Sequence, residues 1–424
     1  MPDPPVLGFY ADDFTGAVDA LLQLTRAGAR ARLLLRSPAP ATLAAEAAGY
    51  DAIGVAGTAR SLLPDELERQ VRPVLTGLAA LGPRVVQYKA CSTADSSPTV
   101  GSLGRVLEIG REVFGQGCVP MLFAQPDFGR YTCFGHHFAA EGGVVHRLDR
   151  QPTMAHHPTT PMRESDLAVH LGHQTPLPIG SWPFRGYADP GGLLTALSSS
   201  SPAGLVLDAL TEEHLRAAAA AVVALDGSRP VFAIGSGGLT SGLAHALGPF
   251  SRPGTPEARP RPGDGPVLVV SGSCSPLTAR QVRHAEDAGW LHLSLAPGDP
   301  AAADGLRAPV LDALRAGRSV VVDSGAAGAD VPVAVDAVAP GLAGLVRAAV
   351  DAQLTRRVVV CGGDTSSRVT GLLGATALEI VANPVGNVVL CRVGADDPAL
   401  DGLELLLKGG QVGPVDLFER VRSL

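Results

Sequence analysis

The chain has 424 residues, 46% hydrophobic and 18% charged, with a mean hydropathy of +0.21; this excludes disorder as its dominant state and leaves room for two or three domains. A net charge of −7 supplies no global basic field, so nucleic acid is excluded as an expected partner and an anionic small ligand needs a local cationic site. Apolar runs such as 267–270 fall far short of the ~20 residues that cross a bilayer, and the start Met-Pro-Asp-Pro-Pro lacks the basic and apolar stretches of a secretion signal, so no membrane partner and a cytoplasmic location are expected.

In chain order, an apolar strand over 6–10 runs through Ala11-Asp12-Asp13-Phe14-Thr15-Gly16 into an apolar helix over 17–27, a β-turn-α unit. Strands are predicted at 31–35, 51–55 and 84–88, with a charged helix over 64–78. Later strands at 205–207 and 231–234 flank an Ala-rich helix over 212–225. Such alternation predicts a parallel sheet covered by helices. Prolines and glycines then prevent regular structure over 251–265, which divides the chain into an N-terminal domain of 1–250, a linker, and a C-terminal domain of 266–424. The rhythm restarts with strands at 267–270, 292–295, 319–323 and 358–361 and helices over 276–288 and 341–354. The expected fold is α/β: two domains, each a mainly parallel sheet covered by helices, with an active-site cleft between them.

Lysine occurs only at Lys89 and Lys408, arginine carrying the remaining positive charge. A guanidinium cannot replace an ammonium in a tight phosphate or carboxylate site, so both positions are site candidates. The six cysteines are scattered without metal-type pairing and read as free thiols.

In the N-terminal domain, Asp12 and Asp13 stand between the first strand and its helix. One is expected to cap the helix, and the pair can accept a hydroxyl proton or hold a polyol. The strand at 84–88 runs into Lys89-Ala-Cys-Ser92-Thr93-Ala-Asp95, where a cation among hydroxyls suits a sugar acid. Residues 147–171, dense in Pro, His, Arg and Thr, read as a long ordered loop over the site. His136-His137 and His156-His157 lack supporting carboxylate or cysteine spacing for zinc and read as loop histidines that bind substrate or solvent.

Three small-residue turns follow apolar strands in the C-terminal domain: Ser271-Gly272-Ser273-Cys274-Ser275, Gly362-Gly363-Asp364-Thr365-Ser366, and Lys408-Gly409-Gly410-Gln411-Val412-Gly413. Turns at the carboxyl ends of parallel strands bind ligands, and helix N-termini behind them favour anions, so a polyphosphate is the natural guest. Neither lysine sits in a Walker-type P-loop. Residues 235–240 place Thr240 where a dinucleotide fingerprint needs glycine, and read as a helix-start turn.

These clusters, in this order and over nearly the whole chain, resemble the four-carbon acid sugar kinase family. Residues 11–17 are similar to its Ala-Asp-Asp-Leu-Thr-Gly-Ala pattern, with Phe14 substituted. Residues 158–167, which include Arg163, are similar to its middle signature, and the three C-terminal turns to its nucleotide-domain motifs. The resemblance implies two domains and ATP-dependent phosphorylation of a small sugar acid. On this reading Asp12 or Asp13 orients or deprotonates the attacking hydroxyl, while Lys89, Ser92, Thr93, Asp95 and Arg163 bind the acid. ATP is held around Ser271, Ser273, Gly362, Gly363, Thr365, Lys408, Gly409 and Gly410, with Mg²⁺ bridging phosphates and Asp364 as its ligand. Closure of the cleft excludes water, and a homodimer is expected from the class alone.

Two departures bear on the substrate. Members acting on tetronates follow the lysine with Asp-Ser-Thr-Leu-Arg-Gly, whereas Lys89 precedes Ala-Cys-Ser-Thr-Ala-Asp-Ser-Ser. Asp364 replaces a usual Glu, and Lys-Gly-Gly-Gln-Val-Gly replaces Lys-Ser-Gly-Asn-Phe-Gly. A branch with Cys-Ser-Thr-Phe-Asp-Ser-Ser is more similar and is associated with 3-oxo-isoapionate, so tetronate, 3-oxo-tetronate and branched oxo-acid remain the alternatives. The rival classes are a sugar-acid lyase or dehydrogenase, and a two-domain ligand-binding regulator. The missing fingerprint argues against the dehydrogenase, and the missing nucleic-acid module or export signal against the regulator.

Overall fold

The computed structural model describes residues 4–225, 230–250, 265–296, 300–324 and 334–424. It divides into two compact units, Met1–Pro253 and Gly254–Leu424. Of the expected linker, only Gly265 lies within the described residues. Among the described residues no helix is long and apolar enough to cross a membrane, and all six cysteines are free thiols.

In the first unit the strands are β1 (Leu7–Ala11), β2 (Ala31–Leu34), β3 (Ala52–Ala56), β4 (Val85–Lys89), β5 (Val119–Leu122), β6 (Arg130–Cys133), β7 (His136–Glu141), β8 (Val144–Arg147), β9 (Ile179–Trp182), β10 (Gly204–Leu207) and β11 (Val231–Gly235). Their main sheet runs β2-β3-β1-β4-β11-β5-β10-β9, parallel throughout. Every residue of β1, β4 and β11 is buried, as continuous apolar runs are when helices cover both faces of a sheet. Ala11 pairs with Ala56 and Lys89, and Lys89 with Gly235, so the carboxyl ends of β3, β1, β4 and β11 lie level. Whatever follows those strands in sequence is thereby collected on one edge.

The helix after β1 spans Phe14–Arg26, three residues earlier than its apolar run suggests, because the Asp13 side chain caps it. Ser236 caps the Gly237–Leu247 helix, so 235–240 is a helix-start turn. The expected loop over 147–171 is corrected: helices Pro152–Ala155 and Leu167–Gly172 interrupt it. The paired histidines at 136–137 are corrected too. They lie on β7 of a separate antiparallel sheet, β6-β7-β8, whose polar residues show no clean alternation. His137 is fully buried between Thr132 Oγ1 (2.9 Å) and the Ser92 carbonyl (2.8 Å), and burial lowers its pKa to about 4.

The second unit contains β12 (Leu268–Ser271), β13 (Leu291–Ser294), β14 (Val320–Asp323), β15 (Arg357–Cys361), β16 (Ala375–Val385), β17 (Val388–Ala395) and β18 (Glu404–Lys408). Its order is β13-β14-β12-β15-β18-β17-β16, parallel as far as β18 and antiparallel beyond. The core gathers Val269, Val282, Val359, Leu406 and the tilted pair Trp290–Phe418. The helix predicted from 341 begins at Val335, because Pro340 and Gly341, breakers in a sequence pattern, are carried inside it. Ser271 pairs with Cys361 and Cys361 with Lys408, which sets the three glycine-rich turns side by side.

Candidate active site

On the carboxyl edge of the first unit, Asp12 directly follows β1. It is 2% exposed, and its Oδ1 has no hydrogen-bond partner among the described residues. Burial, then the Asp13 charge, push its carboxyl up to about 7, against the pull of Lys89 and Arg60. A carboxyl tuned to neutrality can take up and release a proton under working conditions.

Asp13 is used differently. One oxygen accepts the Gly16 N–H as helix cap, and the other accepts Arg60 Nη1 at 2.8 Å. Arg60 also grips Asp95 Oδ2 through Nε (2.7 Å) and Nη2. The second Asp95 oxygen accepts the Thr160 hydroxyl, so this buried carboxylate holds Arg60 and the 156–166 segment in place. Lys89, also buried, lies 3.4 Å from Asp19 Oδ2 and donates to the Ala90 carbonyl at 3.1 Å. Burial opposes its charge, but Asp19, Asp12 and Asp13 together outweigh burial and raise its pKa.

The structure therefore brings Asp12, Asp13, Lys89 and Asp95 into one network. Thr93 Oγ1 lies 3.1 Å from Cys91 Sγ, and half-buried Ser92 lends its carbonyl to His137. Arg163 is exposed and has no hydrogen bond or ion pair among the described residues, so it does not join. Sequence reasoning missed Arg60, Asp19 and Thr160. Arg60 stands just beyond β3 on the same edge, and Asp19 is a lone carboxylate in the apolar run 17–22; both signals were in plain view.

In the second unit, the Gly272 N–H donates to the Cys361 carbonyl (3.1 Å) and the Gly362 N–H to the Lys408 carbonyl (2.9 Å). Gly362 has φ +111°, open to glycine and strained for other residues, and a Cβ there would stand 2.9 Å from Thr365 Oγ1. A Cβ on Gly410 would stand 2.6 Å from Ser273 Oγ, whereas one on Gly363 would meet nothing within 4 Å among the described residues. No side chain among the described residues caps the Gly363–Leu373 helix, so its first N–H groups lack a side-chain acceptor there. Lys408 is 3% exposed, donates to Thr278 Oγ1 at 3.0 Å, and has no carboxylate within 4.0 Å among the described residues. Thr278 in turn donates to the Gly410 carbonyl at 2.9 Å.

A buried ammonium, an uncapped helix start and turns kept bare by glycine fit the phosphates of a nucleotide. Asp364 is exposed beside them, without hydrogen bond or ion pair among the described residues, and suits a cation. No three His, Cys, Asp or Glu side chains converge among those residues, so a divalent ion here would complete its shell with phosphate oxygens and water.

Comparison with known proteins bears on both halves. A sugar-binding N-terminal domain matches residues 7–243, and a nucleotide-binding C-terminal domain matches 268–418. The 3-oxo-isoapionate kinase of Paraburkholderia graminis is 38% identical over 99% of this chain and 94% of its own length. The chain belongs to the four-carbon acid sugar kinase family. The 3-oxo-tetronate kinase of Methylobacterium radiotolerans is 34% identical over 99% of both chains. Solved structures from Salmonella typhimurium LT2 (TM-score 0.83, 24% identity, 98% and 97% coverage) and Haemophilus influenzae (0.78, 23%, 98% and 99%) share its fold.

This acid sugar kinase thus carries the Asp12 network within its sugar-binding match and the Lys408 cradle within its nucleotide-binding match. Gly410→Ala provides a direct check on the cradle. The added methyl presses on Ser273 Oγ and on Ser275 Cβ and forces that turn to shift, so KM for ATP is expected to rise about 10-fold with a modest fall in thermal stability. Steady-state kinetics beside a melting curve would read both.

Proposed function

We propose that this chain transfers the γ-phosphoryl group of ATP to a hydroxyl of a small 3-oxo sugar acid, a branched acid of the 3-oxo-isoapionate type being its substrate. The observation that carries the reading is the buried Asp12 carboxyl, its Oδ1 without a hydrogen-bond partner among the described residues, tuned to about 7 beside Lys89 and the clamped Arg60. The branched acid is preferred because the relative named for it is 38% identical, against 34% for the 3-oxo-tetronate kinase.

In the reaction the substrate oxygen bonds to the γ-phosphorus as the bond to the departing ADP oxygen breaks. Asp12 accepts the hydroxyl proton. Lys89 and Arg60 orient the acid, with Ser92 and Thr93 offering hydrogen bonds and Arg163 available to the carboxylate. Asp13 and Asp95 fix Arg60. In the second unit Lys408 and the backbone N–H groups of the Ser271–Ser273, Gly362–Thr365 and Gly409–Gly410 turns hold the phosphates. Mg²⁺, held by Asp364 with phosphate oxygens, would neutralise charge on the departing diphosphate. The cytoplasm, where ATP is supplied, is the expected place of action.

The test is coupled ADP release with a panel of tetronate, 3-oxo-tetronate and branched 3-oxo acids. Release is expected with the branched acid at the highest kcat/KM. Turnover of any acid without ATP would overturn the kinase reading, and a preference for the unbranched acid would overturn the substrate assignment alone.

A further inference from the structure

The buried histidine on β7 takes no part in the proton chemistry assigned to Asp12, yet its ring and its main chain both reach segments of the sugar-acid site. Its Nε2 lies 2.8 Å from the Ser92 carbonyl and its Nδ1 2.9 Å from Thr132 Oγ1, while its backbone N–H donates to the Ser165 carbonyl at 2.8 Å. We propose that His137 is a positioning residue for the sugar acid: it fixes the direction of the Ser92–Thr93 peptide, so that the Thr93 N–H is presented to the substrate. The inference rests on the sugar-acid reading of the Lys89–Asp95 segment.

The roles of the ring follow from its partners. A carbonyl only accepts, so Nε2 carries the ring proton and Nδ1 accepts the Thr132 hydroxyl. Burial lowers the pKa of His137 to about 4, so the ring stays neutral and keeps one donor and one acceptor at working pH. Thr132 and His137 are direct cross-strand partners in β6 and β7, so the sheet itself sets where the ring stands.

The turn it grips needs such a hold. Cys91–Ala94 closes through the Ala94 N–H and the Cys91 carbonyl at 3.1 Å, which makes Ser92–Thr93 its central peptide. Type I and type II turns differ mainly by a half-rotation of that peptide, and a bond to its carbonyl selects one orientation. In a trans peptide the N–H points opposite to the C=O, so the Thr93 N–H is directed away from His137. Thr93 is buried and its N–H has no acceptor among the described residues, which leaves that donor to a carboxylate or oxo oxygen of the acid. Ala94, next in the turn, is held at φ +48°, where a Cβ is strained, and the Ser96 hydroxyl donating to its carbonyl at 2.8 Å helps keep it there. Strain of this kind persists only where the surroundings over-determine the backbone, and it collects at ligand sites.

His137→Met and His137→Gln are close in size and reach, but only glutamine can donate to the Ser92 carbonyl. In steady-state kinetics with 3-oxo-isoapionate and ATP, KM for the acid should rise about 30-fold in His137→Met and about 3-fold in His137→Gln, with KM for ATP as in wild type in both. A residue that served only the fold would lower the melting temperature of both variants and leave KM for the acid unmoved. If His137→Met does not fold, Thr132→Val removes the hydroxyl from Nδ1 at nearly constant shape and should raise KM for the acid about 5-fold, with Thr132→Ser restoring it. A wild-type KM for the acid in folded His137→Met, or failing that fold in Thr132→Val, overturns the positioning role. A wild-type chain that phosphorylates no acid of the panel overturns the site reading, and the inference falls with it.

Discussion

Asp12→Asn is expected to lower kcat about 1,000-fold while leaving KM for ATP unchanged, because a general base is removed and the nucleotide cradle lies on other strands. The wild-type kcat/KM should rise with pH through about 7, where the Asp12 carboxyl ionises, and the variant should lose that step. Stability moves the other way. The native carboxyl titrates near 7 and the unfolded one near 3.8, so over that window the native state binds more protons and loses stability as pH rises. The neutral amide escapes this loss, so the variant should gain about 4 kcal/mol relative to wild type between pH 4 and 8. Asp13→Asn is the contrast: asparagine still caps a helix, so it should cost far less rate, acting through a loosened Arg60. A wild-type rate in Asp12→Asn, measured by coupled assay, would remove Asp12 as the base.

Lys408→Met carries the second large effect. Loss of the ammonium should lower kcat/KM for ATP about 300-fold, while binding of the sugar acid, followed by tryptophan fluorescence or calorimetry, stays as in wild type. Without nucleotide, the melting temperature should rise. Lys408 is a buried charge with no carboxylate neighbour among the described residues, and a methionine of similar length removes its desolvation cost. A folding lysine and a ligand-binding lysine predict opposite signs in that melting curve. A lower melting temperature with intact ATP kinetics would show that Lys408 serves the fold.

Much of this could be read along the chain. Near-elimination of lysine made Lys89 and Lys408 conspicuous, and both are buried at strand ends. Glycine clusters after apolar strands marked turns that the β12, β15 and β18 register aligns. The antiparallel hairpin of β16 and β17 and the β6-β7-β8 sheet were not legible, because their pairing depends on partners and not on local pattern.

Composition and spacing by themselves determined the α/β class, the glycine turns and which residue types could do chemistry, since periodicity and backbone freedom are local properties. Only the tertiary structure decided that Asp12 is the buried, neutral-tuned carboxyl while its neighbour Asp13 caps a helix and holds Arg60. Arg60 meets Asp13 across 47 residues and Asp95 across 35, and charge coupling and desolvation follow distance in space, which chain position does not encode.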